Sequence, residues 1–323
     1  MSNVAQVKNA HQQSQERQTE ALRRALGAEI MGALEDPAVV EIMLNPDSSL
    51  WIDKLGSGME RIGSIDAIRA MSIVATIAAM LETTVSDAKP ILECELPLDG
   101  SRFEALISPL VERPTFALRK RALLVFNLDD YVGKGIMTIA QKIVIENAVS
   151  NRRNILVAGG TGTGKTTLAN AILDNVANVD HDHRIVIIED TRELQCNAPN
   201  TVFLRTSDGT DMTRLLRATM RLRPDRIVVG EVRDASALAL LKAWNTGHPG
   251  GVGTVHANDA SAALIRIGQL IQEAGVPPNP ELIAEAVNVV VSIKRTKTGR
   301  EIDEVISVLG WSRTDGFLVK RLA

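Results

Sequence analysis

Residues 154 to 173 read NILVAGGTGTGKTTLANAIL, an apolar run that ends in glycines and passes straight into a helical pattern. Gly159, Gly164, Lys165 and Thr166 keep the spacing of a phosphate-binding loop, and that motif needs a strand before it and a helix after it. The chain must therefore hold a buried strand whose carboxyl end meets a helix N-terminus, which confines this part to an α/β fold. Glycines let successive backbone N–H groups curl around a polyphosphate, and the helix N-terminus adds partial positive charge. Gly160, Thr161, Gly162, Thr163, Gly164, Lys165, Thr166 and Thr167 are the nucleotide-binding residues on this reading. Lys165 would reach the β and γ phosphates of ATP, and Thr166 would ligand Mg²⁺.

The strand order around the loop extends the argument. A helix is expected over 138 to 150, then the strand NILVAG at 154 to 159, RIVIIE at 184 to 189, DRIVVG at 225 to 230 and VGTVHA at 252 to 257, separated by helical stretches. Short apolar strands alternating with helices imply a parallel sheet covered on both faces. Before them the pattern differs. VVEIMLNPDSSLWIDK at 39 to 54 reads as strand, turn and strand, a helix follows over 66 to 82, and residues 94 to 121 alternate around an Asp-Gly turn as antiparallel strands do. Leu22, Leu26, Ile30 and Leu34 mark one amphipathic helix before that, facing either its own domain or a membrane surface. The chain thus divides into a polar flexible tail (1–18), an α+β N-terminal domain (19–125), a linker (126–137) and an α/β P-loop domain (138–323).

Composition excludes several function classes. A net charge of −3 and 3% aromatic residues give little for a nucleic-acid backbone or its bases to hold, so direct nucleic-acid binding is not expected. Cys94 and Cys196 form no CxxC or paired framework, which reads as a reduced, cytosolic protein. The longest apolar run, MSIVATIAAML, has 11 residues, where a bilayer span needs about 20.

A P-loop alone says only nucleoside triphosphate, so the chemistry depends on the other strand ends. The second strand ends in Glu189 and Asp190, and the third is followed by Glu231, with Asp225 at its start; carboxylates at the carboxyl edge of a parallel sheet lie where such sheets bind ligands. Glu231 could orient or deprotonate an attacking water. NTGHPGGVGTVHAND at 245 to 259 brings Gly247, His248 and His256, and two histidines on a glycine turn and a strand are not a zinc site. Strand direction carries His256 to the phosphate edge.

GGTGTGKTT, IIEDTREL, LRPDRIVVGEVRD and TGHPGGVGTVHAN, in that order, resemble the Walker A, Asp box, Walker B and His box of the hexameric secretion ATPases of type II and type IV systems. VVEIMLNPDSSLWI and LDGSRFEALISP followed by ALRKR resemble that family's N-terminal domain. The short chain and the lack of a cysteine metal insert favour the type IV branch. The resemblance implies a RecA-like domain, with Lys165 and Thr166 on phosphate and Mg²⁺, Glu189 and Glu231 sharing the base role, and His256 sensing the γ-phosphate. Gly247 and His248 match the family's TGH turn. Arg102 and Arg119 resemble arginines that reach the nucleotide from the N-terminal domain, in effect arginine fingers. Arg217, Arg221 and Arg223 are subunit contacts or a solvated helix face. Asp130 to Gly135 is too generic to assign adenine contacts, and no basic tail is present.

The implied protein is an ATPase whose hydrolysis changes the angle between its domains. It would work as a homohexameric ring, peripheral at the cytoplasmic face of the inner membrane, with type IV secretion or conjugation components as partners, powering pilus assembly or DNA transfer. The sequence leaves two alternatives: a motor that grips single-stranded DNA directly, and a nucleotide-gated assembly component with little turnover.

Overall fold

The computed structural model describes residues 2–54, 57–121, 126–207, 209–296 and 299–323, and the side chains of 16 onward within them. The boundary expected at 125 falls outside the described residues. The chain forms two compact units, Met1–Leu123 and Leu124–Ala323. Among the described residues no helix is long and apolar enough to cross a membrane.

The first unit begins with α1 (Ser2–Glu35), which runs through the stretch expected as a tail, and continues β1 (Val39–Leu44), β2 (Ser49–Lys54), β3 (Gly58–Ser64), α2 (Ala67–Met80), β4 (Ile91–Glu95), β5 (Arg102–Leu106) and β6 (Thr115–Arg119). Its strands make one antiparallel sheet in the order β3-β2-β1-β6-β5-β4. Leu22, Leu26 and Ile30 are fully buried in the core that lies on this sheet, so the α1 stripe packs on its own unit. At Gly27 (φ 74°) the helix kinks. Arg69 of α2 occupies the space a Cβ there would need, and it donates to the Leu26 carbonyl at 2.9 Å.

The second unit contains α3 (Leu128–Gly133), α4 (Ile139–Ser150), β7 (Ile155–Gly159), α5 (Lys165–Val179), β8 (Ile185–Glu189), β9 (Thr201–Arg205), α6 (Met212–Thr219), β10 (Arg226–Val229), α7 (Ser236–Asn245), β11 (Val252–His256), α8 (Ala260–Gln272), α9 (Pro280–Ala286), β12 (Val289–Arg295), β13 (Arg300–Ser312) and β14 (Gly316–Arg321). α3 falls within the expected linker and is closed by an Asn127/Asp130 capping box. Reciprocal side-chain bonds of this kind satisfy two otherwise orphaned N–H groups and fix the helix start.

The eight strands run in the order β14-β13-β12-β7-β11-β10-β8-β9. Those from β12 to β9 are parallel, β13 is antiparallel to β12, and β14 is antiparallel to β13 and so runs in the direction of the parallel set. One apolar core lies beneath α6 to α9 and a second beneath α3 to α5, so helices cover both faces, as a buried parallel sheet requires. The P-loop strand β7 sits between β11 and β12. The chain leaves it in one direction to reach β8 and β9, returns through β10 and β11, then crosses to β12. That reversal of strand order marks where open α/β sheets bind ligands.

Candidate nucleotide site

Backbone contacts set the phosphate loop. A Cβ on Gly159 would lie 2.6 Å from both the Ile293 carbonyl and Thr163 Oγ1, so only glycine lets the loop pass this closely to β12. Gly162 (φ 70°) and Gly164 (φ 98°) take left-handed conformations, and Gly164 is the N-cap of α5 without a side-chain cap. The first-turn N–H groups of α5 therefore keep no side-chain partner at the cap, the arrangement that suits an anion. Thr163 Oγ1 donates to the Gly160 carbonyl at 2.9 Å and tightens the turn.

Lys165, although a lysine, is buried. Its Nζ donates to the Gly160 carbonyl at 2.9 Å and lies 3.4 Å from each ring nitrogen of His256. His256, the last residue of β11, has Nε2 3.0 Å from Glu231 Oε1. An ammonium has no lone pair to offer, so the tautomer that suits both neighbours donates Nε2–H to Glu231 and presents Nδ1 to Lys165. Three of the residues singled out from sequence thus form one chain across the tips of α5, β11 and β10.

Glu189 is placed differently. It is 4% exposed at the end of β8, and its Oε1 accepts the backbone N–H groups of Glu193 at 3.0 Å and Leu194 at 2.8 Å. The carboxylate folds its own following loop back on itself. That turn carries Glu193, whose Oε2 accepts from Thr166 Oγ1 at 3.2 Å. Asn170 of α5 holds the same loop, accepting from Gln195 N at 2.9 Å. Glu193 is not marked as a site residue by the sequence; the signal available is its place within the IIEDTREL run. Asp190 accepts from Thr206 Oγ1 at 2.8 Å and pairs with Arg233, which ties the ends of β8 and β9 to the segment after β10.

Among the described residues no three His, Cys, Asp or Glu side chains gather as a metal cluster. Thr166 with Glu193 nearby fits Mg²⁺, which keeps much of its shell as water and phosphate oxygen and needs few protein ligands.

The two histidines separate. Gly247 (φ 97°) follows the end of α7 in the left-handed conformation, and His248 Nδ1 lies 3.3 Å from the Ala243 carbonyl of that helix's last turn; this is C-terminal capping geometry. The glycines after them meet two large side chains. A Cβ on Gly250 would lie 2.4 Å from Arg226 Nη1, and one on Gly251 would lie 2.1 Å from Trp244 Nε1. Arg226 is 1% exposed and donates to the carbonyls of Gly250 (2.9 Å) and Val149 (3.0 Å), and it pairs with Asp180.

Arg102 and Arg119 belong to the first unit, where β5 and β6 place them directly opposite each other. Arg102 pairs with Glu93 at 2.9 Å. Arg217, Arg221 and Arg223 are exposed at and after the end of α6.

The family described as type II/IV secretion system protein matches residues 25–301. The chain belongs to that family. Over 287 residues it is 52% identical to a probable conjugal transfer protein TrbB of Sinorhizobium fredii, covering 89% of this chain and 88% of the relative. It is 28% identical over 328 residues to the type IV secretion system protein VirB11 of Bartonella quintana, covering 85% and 90%. Among solved structures, the ATPase DotB of Legionella pneumophila superposes with a TM-score of 0.59 at 19% identity, covering 84% of this chain and 77% of that one. The last likeness is one of fold. Membership together with the loop geometry makes the chain a secretion-type ATPase of the type IV branch.

Proposed function

We propose that the second unit hydrolyses ATP with Mg²⁺ and that the chain uses this to power type IV secretion or conjugative transfer. It would do so as a homohexamer at the cytoplasmic face of the inner membrane, beside the membrane components of that system. The observation that carries the hydrolytic reading is the Lys165–His256–Glu231 chain at 3.4 and 3.0 Å beside the phosphate loop. A cation, a proton-bearing ring and a carboxylate in series can neutralise a terminal phosphate, report its presence and orient water.

In this reading Lys165 and the loop N–H groups neutralise the phosphates, and Thr166 with Glu193 holds Mg²⁺, which supplies charge neutralisation when bound. Glu231 is the carboxylate that orients or deprotonates water. His256 couples it to the phosphate, and Glu189 keeps the Glu193 loop folded. Gly160 to Thr167 line the phosphates. Arg102 and Arg119 serve hydrolysis as the family resemblance implies.

Steady-state ATP hydrolysis across a protein concentration series, with mass from light scattering, tests this. Lys165→Ala, Glu231→Gln and His256→Ala should each lower turnover, Glu231→Gln by about 10²–10⁴. Specific activity should rise as hexamers form. Turnover unchanged by Glu231→Gln and His256→Ala would refute the assignment.

A further inference from the structure

Arg300 opens β13 and reaches back over the phosphate loop. Its Nη2 donates to the Gly162 carbonyl at 3.3 Å. Its stem covers Gly164, where an added Cβ would lie 3.3 Å from Arg300 Cδ. Its Nε is buried without a hydrogen-bond partner among the described residues.

The charge around it is equally unusual. The β12–β13 register sets Arg300 directly opposite Arg295, and like charges in that position repel. Among the described residues neither forms an ion pair, whereas Lys294 on the same hairpin pairs with Glu301 and Asp303. A guanidinium offers five donors, and here one long bond to a neutral carbonyl uses one of them. An arginine without an ion-pair partner over a loop built for anions, with a second arginine opposite it on the hairpin, suits an anionic ligand, and Arg300 approaches from the β12 side. The Lys165–His256–Glu231 chain, which marks the terminal phosphate on the reading above, lies on the opposite, β11 side.

Resting on that reading, we propose that Arg300, aided by the field of Arg295, binds the nucleotide at the inner end of its phosphate chain, on the α-phosphate of a nucleoside di- or triphosphate. It is a binding residue, remote from the bond that breaks. Its contact is made equally to ground state and transition state, and loss of such a contact raises KM without lowering kcat.

Full-length wild type, Arg300→Gln and Arg300→Lys are compared by ATP-concentration series and by calorimetric titration with ADP. Gln keeps a donor for Gly162 but loses the charge. Arg300→Gln should raise the KM for ATP and the Kd for ADP by the same factor, about tenfold for one charge-assisted contact, with kcat within about threefold. Arg300→Lys should recover part of the affinity and stay about threefold weaker than wild type. Equal KM and Kd in wild type and Arg300→Gln overturns the proposal, as does a fall in kcat with the ADP Kd unchanged, which would make Arg300 a loop support or a γ-phosphate contact. If Arg300→Gln fails to fold, Arg300→Lys decides alone: a KM raised about threefold with kcat retained supports the contact, and an unchanged KM overturns it. A wild type that neither hydrolyses ATP nor binds ADP overturns the ATPase reading itself, an outcome distinct from the others.

Discussion

Two glutamates compete for the base role in sequence, and their surroundings predict unequal responses to the same substitution. Glu189 is buried and its Oε1 accepts two backbone N–H groups. Glu189→Gln keeps an oxygen for both bonds and removes the charge. A bond to a charged acceptor contributes about 1.5–3 kcal/mol against about 0.5–1.5 for a neutral one, so the anchor weakens by about 2 kcal/mol in total. A loop loosened by that amount opens about 30 times more often, since 1.4 kcal/mol is about tenfold. It should still be closed most of the time. Turnover at saturating ATP should therefore fall by no more than about tenfold, while Glu231→Gln loses about 10²–10⁴. Hydrogen exchange at the Glu193 and Leu194 amides should rise by about the same 30-fold in Glu189→Gln and stay level in Glu231→Gln. A Glu189→Gln protein as inactive as Glu231→Gln, with both amides still protected, would refute the reasoning and make Glu189 the proton acceptor.

Arg226→Met should destabilise the second unit by about 3–5 kcal/mol, because it strands Asp180 and two carbonyls that the guanidinium now satisfies; urea unfolding with and without ADP identifies the transition, and a loss under about 1 kcal/mol would contradict the assignment. Gly251→Ala should unfold this region or shift Trp244, since the added methyl overlaps the indole and the Ile227 carbonyl at 2.1 and 2.4 Å, and a near-ultraviolet spectrum unchanged from wild type would count against it. Burial, with repulsion from Glu93 and Glu95, pushes the Cys94 thiol from 9.0 up to about 12. Its contribution is complete below pH 9 and is lost as pH rises toward 12, because only the unfolded thiol ionises in that window. Unfolding of the first unit should thus become easier from pH 8 to 10.5, less steeply in Cys94→Ala, and equal slopes would refute it.

The phosphate loop, four parallel strands and the strand tips at Glu231 and His256 were legible because each is written locally: an apolar run, then glycines, then a helical pattern. Glu193 was not legible as a site residue. Its direction depends on Glu189, four residues before it, folding the loop and on Asn170 from α5 holding it across 25 residues, and no propensity or periodicity records either bond. Arg226 looked like a strand start, and its burial comes from carbonyls at 149 and 250. β3 (GMERIGS) escaped because it lies at the sheet edge with little buried on either face, so it lacks the alternation that reveals a half-buried strand. The hairpin β13–β14 has little in its sequence to announce it beyond Gly316 (φ 73°), which follows its turn. Gly247 and His248 carried the look of a site and serve the end of α7.

Strand order explains why the polar groups around this loop divide into two kinds. β7 has β11 on one side and β12 on the other. On the β11 side the neighbours are strand ends, and residues such as His256 and Glu231 emerge along the strand direction toward the loop. On the β12 side the chain turns back through an antiparallel hairpin, so side chains there reach the loop from the flank, as Arg300 does at Gly162 and Gly164. A strand tip can face the terminal phosphate; a flank can face only what lies nearer the loop's own backbone. Substitutions on the β11 side should therefore act chiefly on kcat and those on the β12 side chiefly on KM, and this division follows from the crossover after β11, which puts strand tips on one side of the loop and a hairpin flank on the other.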